Sequence, residues 1–374
     1  MSYLLIAAGI VVVFVLLLDT FHTIVVPRTV TSPYRLTRMY YLVTGAMLRG
    51  ALAVTPSRRW RTTLLTGFAP LSLILLFVTW AIGLIFGFTL IHLGSGTQYH
   101  SDIGIHSAPF WTHFYFNGVT FLTLGYGDLA PSGPLARALA VTEAGVGFMF
   151  LAVVISYLPV MYQAFSRREN AITLLDARAG SPPTAGVLMR RYAEAENMPE
   201  LIELLANMEK WAAELLEAYL SYPILAFYRS QHEDESWLST LTAIMDACAL
   251  IEADFRGDFE WQKQLRWQAH LTFAMARHTV VDLSQVIFAQ PKPPPQDRLP
   301  QLLWERVCRI MEAAGAPLCD DEGAQKTLTE RRSQYEPYVH VLAERLYLTL
   351  PPFLPEKEVR DNWETSAWDN KDHL

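Results

Sequence analysis

Thr123-Leu-Gly-Tyr-Gly-Asp128 is the most constrained part of this 374-residue sequence, because two glycines flank a single tyrosine. Glycine permits backbone angles that are closed to other residues. The apolar, aromatic run that precedes it from residue 108 is too short to cross a bilayer and return as helix. Irregular backbone at membrane depth survives only where it lines a watery path or lies buried in protein. Residues 108–131 are therefore predicted to form a re-entrant segment.

Three apolar stretches surround this segment, at residues 1–26, 68–94 and 135–165. Each meets the roughly 20 residues needed to cross a hydrocarbon core of about 30 Å. They predict an extra N-terminal transmembrane helix, an outer helix before the re-entrant segment and an inner helix after it. The first stretch lacks the basic start and the small-residue cleavage site of a signal peptide, so we favour a retained helix.

Arginine placement predicts the direction of these helices. Residues 27–67 carry seven arginines and no acid, whereas residues 92–134 contain no lysine or arginine. The positive-inside rule puts the N-terminus outside and the C-terminal half in the cytoplasm of a multi-pass cell-membrane protein. Within the Arg-rich segment, residues 40–54 are predicted to form an interfacial amphipathic helix. The arginines lack the every-third spacing of a voltage sensor.

The motif resembles the filter of the potassium-channel pore family, of the prokaryotic type with one pore loop per subunit. Thr123-Leu-Gly-Tyr-Gly127 matches the family's T-V-G-Y-G with leucine in place of valine. The resemblance covers residues 68–165, about a quarter of the chain. It implies an all-α membrane protein with an outer helix, a re-entrant pore helix with its filter, and an inner helix. One filter strand cannot close a ring, so it also implies a homotetramer in the lipid bilayer.

The resemblance also implies roles for individual residues. The implied K⁺ ligands, through backbone carbonyls and one hydroxyl, are Thr123, Leu124, Gly125 and Tyr126, with Thr123 supplying the hydroxyl. The implied filter supports are Gly127, Asp128, Trp111, Tyr115 and Phe116. Val119 stands where some relatives have a carboxylate bound to the filter aspartate, so Asp128 needs another partner. Leu122 replaces a second threonine, which puts ion or blocker binding in the inner cavity in doubt.

Three residues of the inner segment are gate or hinge candidates. Gly145 and Gly147 lie in the middle of the predicted helix and Pro159 near its inner end, and both residue types are sites where helices kink. Small residues also let membrane helices pack closely, so both interpretations of the glycines stay open. Glu143 is ionisable within a span. For it we favour a structural role, at the interface or paired with Arg137 or a pore-helix group.

For the polar groups in the other spans and loops, a structural role is favoured over a functional one. Four histidines lie in the outer segment, at positions 92, 100, 106 and 113. Such a cluster could sense protons or bind Zn²⁺, but no pair has tight ligand spacing, so a solvated turret is favoured. Asp19 is predicted to lie at the inner end of its helix, near the Arg-rich segment.

Residues 166–350 are predicted to form a helical cytoplasmic domain, because apolar residues recur at three- and four-residue spacing. The expected helices span residues 185–206, 208–228, 236–255, 261–289, 301–314 and 323–350. A proline-rich break is predicted at 291–300 and a polar tail at 351–374. The acidic run at 232–235 and the histidines at 270 and 278 are interpreted as a solvated loop and helix packing. A gating ligand or partner of this domain is left unidentified.

Composition narrows the function. Hydrophobic residues make up 51% of the chain, charged residues 18%, and the mean hydropathy is +0.18, which excludes a disordered protein. The net charge of −7 argues against nucleic-acid binding. With no catalytic constellation, an enzyme is not expected, and K⁺ is the only ion or cofactor predicted. The favoured function is a K⁺-selective channel, and the alternative is a non-conducting, membrane-anchored receptor or scaffold.

Overall fold

The computed structural model describes residues 2–24, 36–101, 104–107, 109–230, 235–356, 361 and 364, with backbone only at 101 and 104–107. The chain divides into two compact units, Met1–Tyr162 and Gln163–Leu374. Helices dominate both units, which confirms the predicted all-α membrane protein. The helices of the first unit are α1 (Ser2–Ile24), α2 (Leu36–Val54), α3 (Arg58–Gly94), α4 (Phe110–Phe121) and α5 (Pro134–Ala179), the last continuing into the second unit.

Within the described part of the chain, three helices, α1, α3 and α5, are long and apolar enough to cross a membrane. Two of them extend past the apolar stretches that predicted them: α3 begins at Arg58 rather than residue 68, and α5 ends at Ala179 rather than residue 165. Hydropathy marks where a helix leaves the hydrocarbon, whereas a helix ends only where the backbone stops propagating. Pro70 and Pro159 lie inside these helices without ending them.

Small residues bring α1 directly against α3. A methyl group added at Gly9 would stand 2.6 Å from the carbonyl oxygen of Gly87, and one added at Gly94 would stand 2.7 Å from that of Ser2. Backbones approach this closely in membranes only where side chains are absent, and the gain is van der Waals contact along the whole seam. The extra helix is therefore packed against the outer helix over its length.

Asp19 connects α1 to α2 and α3 by hydrogen bonds. Its buried carboxylate accepts hydrogen bonds from the backbone N–H of Thr37 at 3.2 Å and from Nε1 of Trp80 at 3.0 Å. Its described partners are neutral donors on α2 and α3, not the arginines expected near it. The hydroxyl of Tyr40 adds a second tie between α2 and α3 by donating to the carbonyl of Ser72 at 2.7 Å. The amphipathic helix expected at residues 40–54 thus packs on the outer helix.

A small antiparallel sheet occupies the outer segment, where no strand was predicted. Its strands, in the order β2-β1-β3, are β1 (Gln98–Ser101), β2 (Gly104–Ser107) and β3 (Ala130–Ser132). The expectation of a solvated turret was wrong for two of its four histidines, because the sheet and helix ends enclose His92 and His113, while His100 is exposed. The side chain of His106 lies outside the described residues.

The second unit is a helical body around one central helix, α8, every residue of which is buried. The helices are α6 (Ala185–Glu194), α7 (Met198–Ser221), α8 (Trp237–Glu252), α9 (Gln262–Val286), α10 (Gln301–Ala313), α11 (Glu322–Ser333) and α12 (Glu336–Leu346), with a 3₁₀ turn at Pro223–Phe227. A helix buried on all sides is the expected centre of a multi-helix core.

Three of the predicted cytoplasmic helices were wrong in their boundaries. The helix expected at 208–228 spans Met198–Ser221 instead, so it starts ten residues earlier than predicted. The helix expected at 185–206 ends at Glu194, and Glu196 adopts a left-handed φ of 51° before α7 begins. The helix expected at 323–350 is broken between α11 and α12. Pro199 and Pro337 stand in the first turns of α7 and α12, where a missing N–H costs nothing. These prolines signal helix starts that the apolar spacing alone does not reveal.

A buried polar cluster ties the proline-rich segment to the central helix. The guanidinium of Arg298 lies 2.5 Å from Oδ2 of Asp246 and 3.5 Å from Oε2 of Glu336, and all three side chains are at least nine-tenths buried. The hydroxyl of Tyr335 donates to the other oxygen of Asp246. Burial raises the pKa of Asp246 to about 6, although the Arg298 guanidinium acts the other way. Such a pair contributes little net stability but is costly to break.

Replacing Asp246 by asparagine is expected to lower the free energy of unfolding by about 3 kcal/mol, because Arg298 would keep its buried charge with one partner fewer. Chemical unfolding followed by the fluorescence of buried Trp237 measures the loss. The matched control is Asp282→Asn, whose carboxylate pairs with the exposed His278 on α9. Its expected effect is below about 0.5 kcal/mol. Equal effects of the two variants would show that the buried cluster is not a stabilising tie.

Candidate functional site

The re-entrant segment begins with a short aromatic helix, α4, that starts directly after Pro109 and ends at Phe121. Two backbone hydrogen bonds hold the residues that follow α4. The N–H of Thr123 donates to the carbonyl of Thr120 at 3.1 Å, and the N–H of Leu124 donates to the carbonyl of Val119 at 2.9 Å. These bonds satisfy carbonyls that a helix end otherwise leaves open. They fix the direction in which the next residues depart.

Backbone handedness alternates along the glycine motif. Thr123, Gly125 and Gly127 have φ values of 57°, 58° and 78°, whereas Leu124 and Tyr126 between them are not left-handed. Glycine adopts this conformation freely, while threonine does so only under constraint. Alternation of left- and right-handed residues turns successive peptide groups the same way, with N–H groups on one side and carbonyl oxygens on the other. Such a row of oxygens can replace the hydration shell of a metal cation.

Tyr115 is the partner that Asp128 needs in the absence of a carboxylate at Val119. Its hydroxyl donates to Oδ2 of Asp128 at 2.9 Å, from α4 to the residue after the motif. Of the other two aromatic supports, Trp111 is 74% exposed and packs on neighbouring rings of its own helix. Phe116 is buried against Tyr99 of β1.

One of the two candidate hinge glycines, Gly147, is packed tightly against α4. A methyl group added at Gly147 would collide with the carbonyl oxygen of Phe121, the last residue of α4. A methyl group added at Gly145 would meet nothing within 4 Å of the chain. Gly147 therefore acts as a small residue that allows close packing, because its missing side chain lets α5 contact the end of α4. For Gly145 and for Pro159, the hinge role stays a prediction.

Glu143 is fully buried, and its neighbour was not foreseen. Arg137, one of the partners considered for it, instead donates to the carbonyl of Pro131 at 3.4 Å. Oε2 of Glu143 lies 3.7 Å from Nε2 of His92 at the end of α3, and neither side chain is exposed. Sequence spacing could not have paired two residues that lie 51 positions apart. The sequence signal for this pair was that His92 and Glu143 are both ionisable and both lie in the outer parts of spans that flank the re-entrant segment.

The histidines and acidic residues considered elsewhere in the sequence do not form a further site among the described residues. Among the described residues, no three His, Cys, Asp or Glu side chains are placed to hold a metal ion together. In the second unit, His270 lies 3.2 Å from Glu252, and His278 lies 3.5 Å from Asp282 on the same helix. The acidic run at 232–235 falls largely outside the described residues.

Residues 74–164, which include α4, the motif and much of α3 and α5, match a family model described as "Ion channel". The chain is 34% identical over 126 residues to the inward rectifier potassium channel Kirbac3.1 of Paramagnetospirillum magnetotacticum, which covers 32% of this chain and 35% of that protein. This region is a pore domain of the potassium-channel family. The chain is also 36% identical over 69 residues to two-pore potassium channel 4 of Arabidopsis thaliana, covering 18% of this chain and 24% of the relative.

One relative is similar over a longer range. The membrane protein YdjJ of Bacillus subtilis (strain 168), whose name carries no function, is 24% identical over 184 residues, or 49% of this chain and 53% of its own. The chain thus spans about half the length, or less, of the curated relatives that it matches. No solved structure matches the chain.

Substituting Gly147 by alanine is expected to destabilise the pore domain by about 1–3 kcal/mol, because the end of α4 must move away from the new methyl group. Thermal unfolding in detergent followed by circular dichroism measures the change. Gly145→Ala is the matched control, for which alanine in an open helical position is expected to be neutral or stabilising by up to about 1 kcal/mol. The packing assignment fails if the two variants unfold alike.

Replacing Tyr115 by phenylalanine removes one hydrogen bond to a carboxylate and leaves the ring in place. We expect amide hydrogen exchange in residues 125–128 to accelerate by roughly tenfold, since such a bond contributes on the order of 1.5 kcal/mol. Exchange measured by mass spectrometry gives the ratio. Tyr3→Phe, at a tyrosine 86% exposed on α1, is the control that should leave this segment unchanged. Unaltered exchange in Tyr115→Phe would remove Tyr115 as a support.

Proposed function

We propose that this protein is a potassium-selective channel that conducts K⁺ passively through a homotetrameric pore. The observation that carries the proposal is the alternating handedness at Thr123, Gly125 and Gly127, inside the region that matches the ion-channel model. Two relatives of the chain are named as potassium channels, which supports K⁺ as the permeant ion.

The proposed ligands are backbone oxygens. The carbonyls of Thr123, Leu124, Gly125 and Tyr126, with the Thr123 hydroxyl, would take the place of water around a dehydrated K⁺ ion. Because they belong to the backbone, replacing valine by leucine at position 124 changes no ligand. The carboxyl end of α4 is the negative pole of the helix and would favour a cation in front of it. Entry of K⁺ then costs little although the ion loses its hydration shell.

Four copies are proposed because one chain supplies only one side of such a ring. Leu124 and Tyr126 are 51% and 66% exposed in the single chain, although both are large apolar or aromatic residues in the most constrained segment. Trp111 on α4 is exposed in the same way. A ring of four filter strands would cover these side chains with neighbouring copies. The ring of Tyr126 would then be held by supporting aromatic residues such as Trp111 of a neighbouring copy.

The proposed topology places the outer segment outside the cell membrane and the helical second unit in the cytoplasm, as arginine placement predicts. Gating by this cytoplasmic domain is proposed from one feature of α5. The helix runs unbroken from Pro134 to Ala179, so the segment that would line the pore and the start of the second unit share a single rod. A bend at Pro159 would change the width of the inner mouth.

Flux through purified protein in liposomes tests the proposal. We expect K⁺ efflux with strong preference over Na⁺, and loss of that preference in Gly125→Ala, because alanine resists a φ of 58°. Gly118→Ala, at an open helical position of α4, is the matched control and should conserve selectivity. Absence of K⁺ flux across a range of pH, Ca²⁺ and nucleotide conditions would favour the receptor or scaffold. Unchanged selectivity in Gly125→Ala would remove the motif as the filter.

A further inference from the structure

A closed cluster of polar side chains lies where α3, α4, α5 and β1 meet. His92 and Glu143 are fully buried, with Nε2 and Oε2 3.7 Å apart. Among the residues that the structure describes, neither oxygen of Glu143 has a hydrogen-bond donor, and Nε2 of His92 has no hydrogen-bond partner. One turn before His92, Thr89 accepts a hydrogen bond from the buried Asn117 of α4 at 3.1 Å, and the Oδ1 of that asparagine has no partner in the described part of the chain.

The net charge of the His92–Glu143 pair depends on how many protons these unpartnered atoms bind. A buried carboxylate without a donor is costly, and the imidazole beside it relieves that cost only if the two groups share a proton. With one proton the pair has no net charge. A second proton leaves a single positive charge in a region closed to water, where charge acts over a longer distance than in solvent.

A chain of hydroxyl groups connects the pair to the surface. Nδ1 of His92 is 3.0 Å from the hydroxyl of Thr97, which is in turn 3.0 Å from the hydroxyl of the half-buried Ser95. Both residues belong to the turn that follows α3 on the side of the small sheet. Hydroxyl groups donate and accept at once, so this chain can pass a proton between solvent and the imidazole.

Every element around the pair contributes identifiable ionisable groups. From α4 comes His113, whose Nδ1 is 2.7 Å from the hydroxyl of Tyr99 on β1. Burial raises the pKa of Tyr99, and the charge of Glu143 raises it further, so tyrosine stays neutral here. His100 on β1 points to solvent, and α5 adds Arg137, which is engaged with a carbonyl. Among the described residues, His92, His113 and Glu143 are thus the groups of the cluster that can change charge.

We propose that His92 and Glu143 form a proton-binding site, reached through Thr97 and Ser95 from the outer surface, that makes K⁺ conduction fall when the outer side is acidified. The inference rests on the proposed function for its electrical consequence. The ring of His92 packs edge-on to Phe116 of the pore helix, with ring centroids 5.7 Å apart. A positive charge gained here lies beside the helix that leads into the filter and opposes the entry of a cation.

Flux from liposomes tests the consequence. Acidifying the outer side from pH 7 to pH 3.5 is expected to lower K⁺ flux by roughly tenfold, the effect of one charge acting through the protein interior. His92→Gln and Glu143→Gln should each abolish this dependence, whereas His100→Gln, the exposed control on β1, should retain it. Retention of the wild-type pH dependence in both pair variants overturns the inference while leaving the channel intact.

A spectroscopic measurement tests the site without flux. In the full chain carrying ¹⁵N-labelled histidine, the imidazole signal lost in His92→Gln identifies His92. We expect that group to bind its proton about tenfold more weakly in Glu143→Gln, since the carboxylate partner is gone. An unchanged titration overturns the proton site itself. A shifted titration in protein that never conducts K⁺ supports the site and counts against the proposed function instead.

Discussion

The contact between the carbonyl of Phe121 and the bare backbone of Gly147 is the constraint on which the pore domain depends. It sets how closely α4 approaches α5, and therefore where the chain stands when it leaves the helix. From that point the capping bonds of Thr123 and Leu124 and the left-handed residues of the motif follow in order. A side chain at position 147 would displace the origin of the whole segment, because protein interiors do not yield smoothly to added volume.

Three buried carboxylates show three ways of holding an acid away from water. Asp19 accepts hydrogen bonds from neutral donors on two helices. Asp246 lies against a guanidinium that also reaches Glu336. Among the described residues, Glu143 has an imidazole beside it and no hydrogen-bond donor. The first two arrangements join helices through hydrogen bonds or an ion pair. The third leaves its charge to be decided by protonation.

Much of the fold could be predicted from the sequence because membrane helices are set by composition. The three apolar stretches and the glycine motif are local signals, and the structure has helices at each stretch and alternating backbone at the motif. The small sheet and the pairing of His92 with Glu143 were missed, because both bring together residues distant in the chain. Tyr115 was one of three aromatic candidate supports, and only tertiary geometry singled it out for Asp128. In the second unit, apolar spacing continued past Glu196, where local backbone and a following proline end the helix.

The length of α5 carries a mechanical consequence. Its 46 residues correspond to about 69 Å at 1.5 Å per residue, more than twice the thickness of the hydrocarbon core. In a straight helix of that length, a tilt of about 10° at one end would move the other by roughly 12 Å. In the proposed topology, Pro159 near the middle of α5 would decide how much of such a tilt passes along the helix, because proline is a site where helices bend.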